Sequence, residues 1–413
     1  MHIAMLTPGW PAEGTPNGIA TYVQHMREEF QRQGHRVSVL TGHVHRATND
    51  PDVYLLREPA WRAFARRIAG RLGRPQQDVA LTFGEVIGAH FRQIHKKHPI
   101  DVVEMEESFG WCADVQRGAP YPVVVKLHGP AFLSLVEEEL ETPIAKLKIE
   151  AEGRALRTAR FVSSPSANTL RQTWEYYGLP KGGERVIFNP MVSSGDTPLW
   201  DPERCERKSI LFVGRFDKRK GGDFLLRAFR RLLSVDPEYT LTFVGPNNGV
   251  KDSSGRTVRI EEFIESTFEP SQRSAVRYLG PLGPAQLTEL RLRASVVVVC
   301  SRWDNQPNTA LEAMVQGCPL VAVESGGMSE VVKHGVTGLL SRNGDEQDFC
   351  DKLIEMHADL ERAAAMGREA RISVREAHSV EKLTAETLSF YRECIERFHQ
   401  GALHDTRALA STG

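Results

Sequence analysis

The 413-residue chain has no Cys-x-x-Cys pair, no long apolar run and no surplus of either charge. Its six cysteines, Cys112, Cys205, Cys300, Cys318, Cys350 and Cys394, stand far apart. That spacing excludes a sequence-local zinc site or a disulfide framework and points to a reducing cytosol. Lys and Arg number 52 against 53 Asp and Glu, so no nucleic-acid partner is expected and any anion site must be built locally. The longest apolar stretches, such as VVVVC, fall well short of the ~20 residues of a membrane span. The opening MHIAMLTPGW enters a strand pattern without the basic start and apolar run of a signal peptide, so none is expected. A Walker loop and a G-x-G-x-x-G fingerprint are also missing, which counts against a dehydrogenase.

What the chain does contain is alternation. Short apolar runs (HIAMLTP, RVSVLTG, DVVEME, PVVVKLHG, RFVSSPS) are separated by amphipathic stretches such as GIATYVQHMREEFQRQGH. After a polar segment, 193–209, the pattern restarts with ILFVG, LTFVG, VRYLG, SVVVVCS, PLVAVES and GLLS. Strands alternating with helices predict parallel sheets covered on both faces. The expected fold is therefore α/β, with two Rossmann-like, doubly wound domains facing across a cleft. The predicted boundaries are 1–192, a linker at 193–209, 210–375, and a C-terminal helix and tail at 376–413 that packs back on the first domain. In such sheets ligands collect beyond the carboxyl ends of the strands.

Three stretches of the second half place chemistry at those ends. ILFVGRFDKRKGGDFLL sets Arg215, Lys218, Arg219 and Lys220 between a strand and a helix opened by Gly221-Gly222. Cations beside a helix N-terminus attract phosphate, although such a run also reads as a solvated surface loop. SRWDNQPNTALEAMVQG puts Asp304 in the loop after a buried strand and Glu312 in the following helix, with Asn308 and Thr309 at the helix start. Singly, Asp304 also reads as an N-cap and Glu312 as an exposed helix acid. VAVESGGMSEVVKHGVTGLL repeats the arrangement with Gly326-Gly327 turning into a helix that carries Ser329 and Glu330.

Taken in this order, the three stretches resemble the retaining glycosyltransferases of family 4, which have the GT-B fold. The resemblance implies that Arg215 and Lys220 grip the diphosphate of a nucleotide diphosphate sugar, UDP or GDP. It implies that Asp304 faces the transferred sugar and Glu312 the ribose, as in the family's E-x7-E motif, with the first Glu here one methylene shorter. Asn308 and Thr309 match positions whose amides meet sugar and phosphate, and Gly327 and Glu330 lie at the turn near the nucleotide. In the first half, PNGIATYV resembles the family's glycine-rich turn, with Asn17-Gly18 where Gly-Gly is common, so Gly18 would bring a helix start to the donor. His128, after VVVKL, matches the histidine near the transferred sugar; a lone histidine also reads as structural.

The implied reaction moves a sugar with retention to a glycan, lipid-linked or small-molecule acceptor. Arg215, Lys220 and helix amides would stabilise the departing diphosphate, and no metal or other cofactor is required. The D-x-D at Asp50-Pro51-Asp52 reads as a turn. Trp10 and Glu106, with Glu107 beside it, are candidates to line the acceptor pocket, or loop and surface residues. The stretch 57–74 carries six arginines, among them Arg62, Arg66 and Arg67, and one acid, with Trp61, Phe64, Ile68 and Leu72 at helical steps. Such a segment can lie on an anionic membrane, here its cytoplasmic face, or pack on the sheet with a solvated basic side. Rival readings are a nucleotide-sugar epimerase, a glycan phosphorylase, and a non-catalytic nucleotide-sugar sensor.

Overall fold

The computed structural model describes residues 1–15, 17–45, 49–59, 83–192 and 197–410. The chain divides into two compact units, Met1–Pro190 with Val380–Gly413, and Met191–Ser379.

The first unit is built on seven strands, β1 (His2–Thr7), β2 (Arg36–Thr41), β3 (Val53–Leu55), β4 (Val102–Glu106), β5 (Val123–Lys126), β6 (Phe161–Ser164) and β7 (Glu184–Val186). Their order is β3-β2-β1-β4-β5-β6-β7 and every pairing is parallel. The central strands β1, β4 and β5 are buried along their whole length, which is why they are mostly apolar and show no clean alternation. One face packs on helix Gly18–Arg32 through Tyr22, Val23, Met26 and Phe30, and on the C-terminal helix Val380–Ala410 through Leu383, Leu388, Phe390 and Tyr391. The other face packs on helices Phe83–Lys97 and Pro143–Thr158 through Ile87, Phe91, Ala155 and Leu156.

The second unit holds β8 (Glu206–Val213), β9 (Thr240–Val244), the short antiparallel pair β10 (Val250–Lys251) and β11 (Thr257–Val258), then β12 (Val276–Tyr278), β13 (Ala294–Val299), β14 (Leu320–Val323) and β15 (Leu339–Ser341). Its main sheet runs β12-β9-β8-β13-β14-β15, again all parallel. Within the stretch read as a linker, Trp200 is buried in this unit's core and its indole N–H donates to Ala294 O at 2.7 Å. The strand also begins earlier than the sequence boundary, at Glu206. An aromatic residue in a Ser/Gly/Pro-bearing segment was the sign that the segment docks.

Candidate functional site

Strand polarity determines which loops carry chemistry in each unit. In the second unit β8 ends at Val213 and the chain turns through Arg215 to Lys220 before helix Gly222–Val235. Gly221 has φ 74°, and a Cβ there would stand 1.9 Å from the Cys300 carbonyl oxygen, so only glycine lets this loop lie against the end of β13. Arg215 Nε donates to Asp217 Oδ2 at 2.9 Å, and Asp217 Oδ1 accepts from the Lys220 amide at 2.7 Å. The Lys220 ammonium pairs with Asp304 Oδ2.

Asp304 follows β13 and is almost wholly buried. Burial would raise its pKa. The charges of Lys220 and Arg219 and the hydrogen bonds from Lys220 and Ser301 outweigh that and hold it below the ordinary carboxylate range. Gly327 N–H donates to Asp304 O at 2.9 Å, which ties the turn after β14 to the same spot. Helix Asn308–Val315 opens beside it, and Asn308 and Thr309 are half-buried in its first turn, where helix amides lack intrahelical acceptors. Arg215, Lys220, Asp304 and Gly327 are thus joined by one chain of contacts. Glu312 is not part of that chain. It pairs with the buried Arg291, whose guanidinium also donates to Gln316 Oε1 at 3.4 Å. Burial raises the Glu312 pKa against the pull of Arg291. Glu330 is half-buried at the start of the short helix Met328–Val331.

In the first unit Gly18 opens helix Gly18–Arg32 under an Asn17 cap, whose side chain accepts from Ile19 N–H at 2.8 Å. The same helix brings the Tyr22 ring 5.4 Å from the His128 ring, edge to face. His128 lies just past β5. Burial first, and the Lys126 ammonium second, push its pKa down to about 3, so its imidazole is neutral. Lys126 is itself buried, 4.6 Å over the Tyr22 ring, and burial lowers its pKa to about 8 against the pull of Glu104. Glu104 is buried beside Tyr22 and Tyr391, and burial raises its pKa.

Glu106 ends β4. Its Oε2 has no hydrogen-bond partner among the described residues, and burial, with Glu107 adding its charge, raises its pKa to about 7. Trp10 is 8% exposed, packed in the core with the Arg27 guanidinium 5.1 Å from its ring, and offers an acceptor little surface. Asp50 and Asp52 pair with Arg27 and Arg36. Trp61, Arg62, Arg66 and Arg67 lie outside the described residues. Among the described residues no helix is long and apolar enough to cross a membrane, and no three His, Cys, Asp or Glu side chains are placed to hold a metal ion. All six cysteines are free thiols.

The sequence reading passed over Glu104, Lys126, Glu152 and Arg291. The signal for the first two was present: a charged residue inside an otherwise apolar parallel strand must have a buried partner.

The family model described as Glycosyltransferase Family 4 matches residues 16–191, and that described as Glycosyl transferases group 1 matches residues 202–373. The chain belongs to glycosyltransferase family 4. Its two parallel-sheet units are those of the GT-B fold. A D-inositol 3-phosphate glycosyltransferase of Corynebacterium aurimucosum is 29% identical over 388 residues, 87% of each chain. That of Nocardia farcinica is 27% identical over 94% of this family 4 chain and 87% of its own. Among solved structures, sucrose-phosphate synthase from Thermosynechococcus elongatus superposes with a TM-score of 0.71 at 20% identity, covering 96% of this chain and 99% of the synthase. Anabaena HepE in complex with UDP-glucose does so at 0.66 and 18% identity, covering 94% and 99%.

Proposed function

We propose that this glycosyltransferase moves a hexosyl group, with retention, from a UDP- or GDP-sugar held by the second unit to a hydroxyl of a glycan, lipid-linked or small-molecule acceptor. The observation that carries this reading is the cluster Arg215, Lys220, Asp304 and Gly327 at the carboxyl ends of β8, β13 and β14. Two cations beside a helix start would meet the negative charge that grows as a diphosphate leaves, and their contacts support the reading. The neighbour HepE, solved with UDP and with UDP-glucose, supports uridine as the first nucleotide to try.

In the proposed reaction the diphosphate takes the place of Asp304 at the Lys220 ammonium, and Asp304 turns to a sugar hydroxyl. The neutral His128 imidazole meets the transferred sugar without adding positive charge beside an oxocarbenium-like centre. The diphosphate oxygen accepts the acceptor's proton, so no side chain is assigned as base, and the proposed reaction runs without a metal. The acceptor binds the first unit near Glu106.

The test is thermal stabilisation by a panel of UDP- and GDP-sugars, followed by turnover with the best donor. Arg215→Ala with Lys220→Ala is expected to abolish the stabilisation and lower kcat by about a hundredfold or more. A double variant that turns over undiminished overturns the proposal, and so does a wild-type chain that none of the panel stabilises.

A further inference from the structure

The chain leaving β5 is held unusually closely. Leu127 N–H makes the last ladder contact, to Ser163 O at 2.8 Å. The next two amides, of His128 and Gly129, both donate to one carboxylate, Glu107, at 2.9 and 2.7 Å. Pro130 has no N–H. Ala131 N–H donates to Glu152 Oε2 at 2.8 Å. Every amide that this turn can offer between the sheet and the next helix is therefore taken, and beyond the ladder the acceptor is each time a buried acid.

Glu107 comes from the end of β4 and Glu152 from helix Pro143–Thr158, so two separate elements converge on four residues. Both acids are essentially without solvent exposure. Burying carboxylates is costly, and an apolar turn or a serine cap would satisfy these amides more cheaply. Bonds from backbone N–H to the charged form of Glu107 are, however, shorter and stiffer than neutral ones. Two of them from one planar group fix the orientation of successive peptide planes, and hence the direction in which the His128 side chain leaves the backbone.

We infer that Glu107 and Glu152 are positioning residues that set the His128 turn for the sugar-transfer step, rather than residues that contact the acceptor. Glu107 fixes the peptide planes on either side of the His128 α-carbon. Glu152 anchors the far end of the turn at Ala131, and Lys148, 3.7 Å from Glu152 Oε1, supplies the nearest cation. A group displaced by about 1 Å from its reacting position can cost a hundredfold in rate without altering how the substrate is held. The inference rests on the reading that His128 meets the transferred sugar.

The experiment has two arms on the full chain. Hydrogen exchange of the segment 127–133 is expected to speed up at least about tenfold in Glu107→Gln, because the two amides donate to different oxygens and the substitution turns one of these into an NH2 donor. Glu152→Ala, which removes the Ala131 acceptor and leaves both Glu107 bonds in place, should raise exchange at Ala131 and carries the test if the first variant fails to fold. Unchanged exchange in a folded variant overturns the inference. In the kinetic arm, Glu107→Gln should lower kcat by about ten- to a hundredfold with the donor KM within about threefold of wild type. The same change in a His128→Ala background should then lower kcat by less than about twofold. A full additional loss in that background, or a full kcat in Glu107→Gln, overturns the inference. A wild-type chain inactive on every nucleotide sugar would sink the proposed function instead, and the exchange arm would still decide the claim about the turn.

Discussion

His128 and Glu152 show how burial, more than any single charge, assigns protonation. The imidazole, held down at about 3 by burial and by Lys126, is neutral at neutral pH. Its NMR ring signals are expected not to titrate between pH 5 and 9, and activity should show no acid limb from this group. Glu152 is the opposite case. Burial, with the Glu107 charge adding to it, raises its pKa from 4.5 to about 8 against Lys148 and the Ala131 amide. Glu106, Glu107, Lys148, Tyr177 and Cys112 face the same spot. A folded pKa above the unfolded one means stability that is complete below about pH 4.5 and is lost as pH rises through about 8. Glu152→Gln mimics the protonated acid and keeps an acceptor for Ala131. Its melting temperature should match wild type at pH 5 and exceed it by at least about 4 °C at pH 8.5, as read by calorimetry. An equal deficit at both values would rule the argument out.

Turns rather than strands carry the site, and two of them depend on glycine. Gly326 has φ 55°, and a Cβ there would lie 2.0 Å from the Asp304 carbonyl oxygen. Gly326→Ala should therefore cost at least about 1–3 kcal/mol and move the turn that Gly327 ties to Asp304, weakening stabilisation by the donor sugar. Gly34→Ala, at φ 80° with open space around it, should lower stability without touching the donor effect. Gly326 was visible beforehand as part of a repeated strand–glycine–helix pattern. So were the strand-end positions of Arg215, Asp304 and His128, because apolar runs mark where parallel strands stop. The pairing of Glu312 with Arg291 was not visible, since Arg291 sits on a helix that carries no motif and only tertiary packing brings the two together. The partners of Glu104 and Lys126 were equally hidden: Tyr22 and Tyr391 come from the first long helix and the last one, and no local pattern spans that separation.

At the scale of the whole molecule, the GT-B organisation was legible because a parallel sheet advertises itself twice as alternating strands and helices. The path of the chain between units was less so. The second unit occupies Met191–Ser379, and Val380–Gly413 return to the first. Leu383, Leu388, Phe390, Tyr391 and Cys394 are all buried against the first sheet's core. A chain ended at residue 379 should lose the thermal transition of the first unit and keep that of the second, since the second has its own two core clusters. A truncated chain that melts like the full one would contradict this. The same path orders events during synthesis. The ribosome releases the start of the first sheet long before the helix that seals it, whereas everything the second sheet needs emerges in one continuous stretch. The later-made half can therefore fold while the earlier-made half still waits with an apolar flank bare, and a nascent chain stalled before the helix Val380–Ala410 has emerged would be a ready client for chaperones.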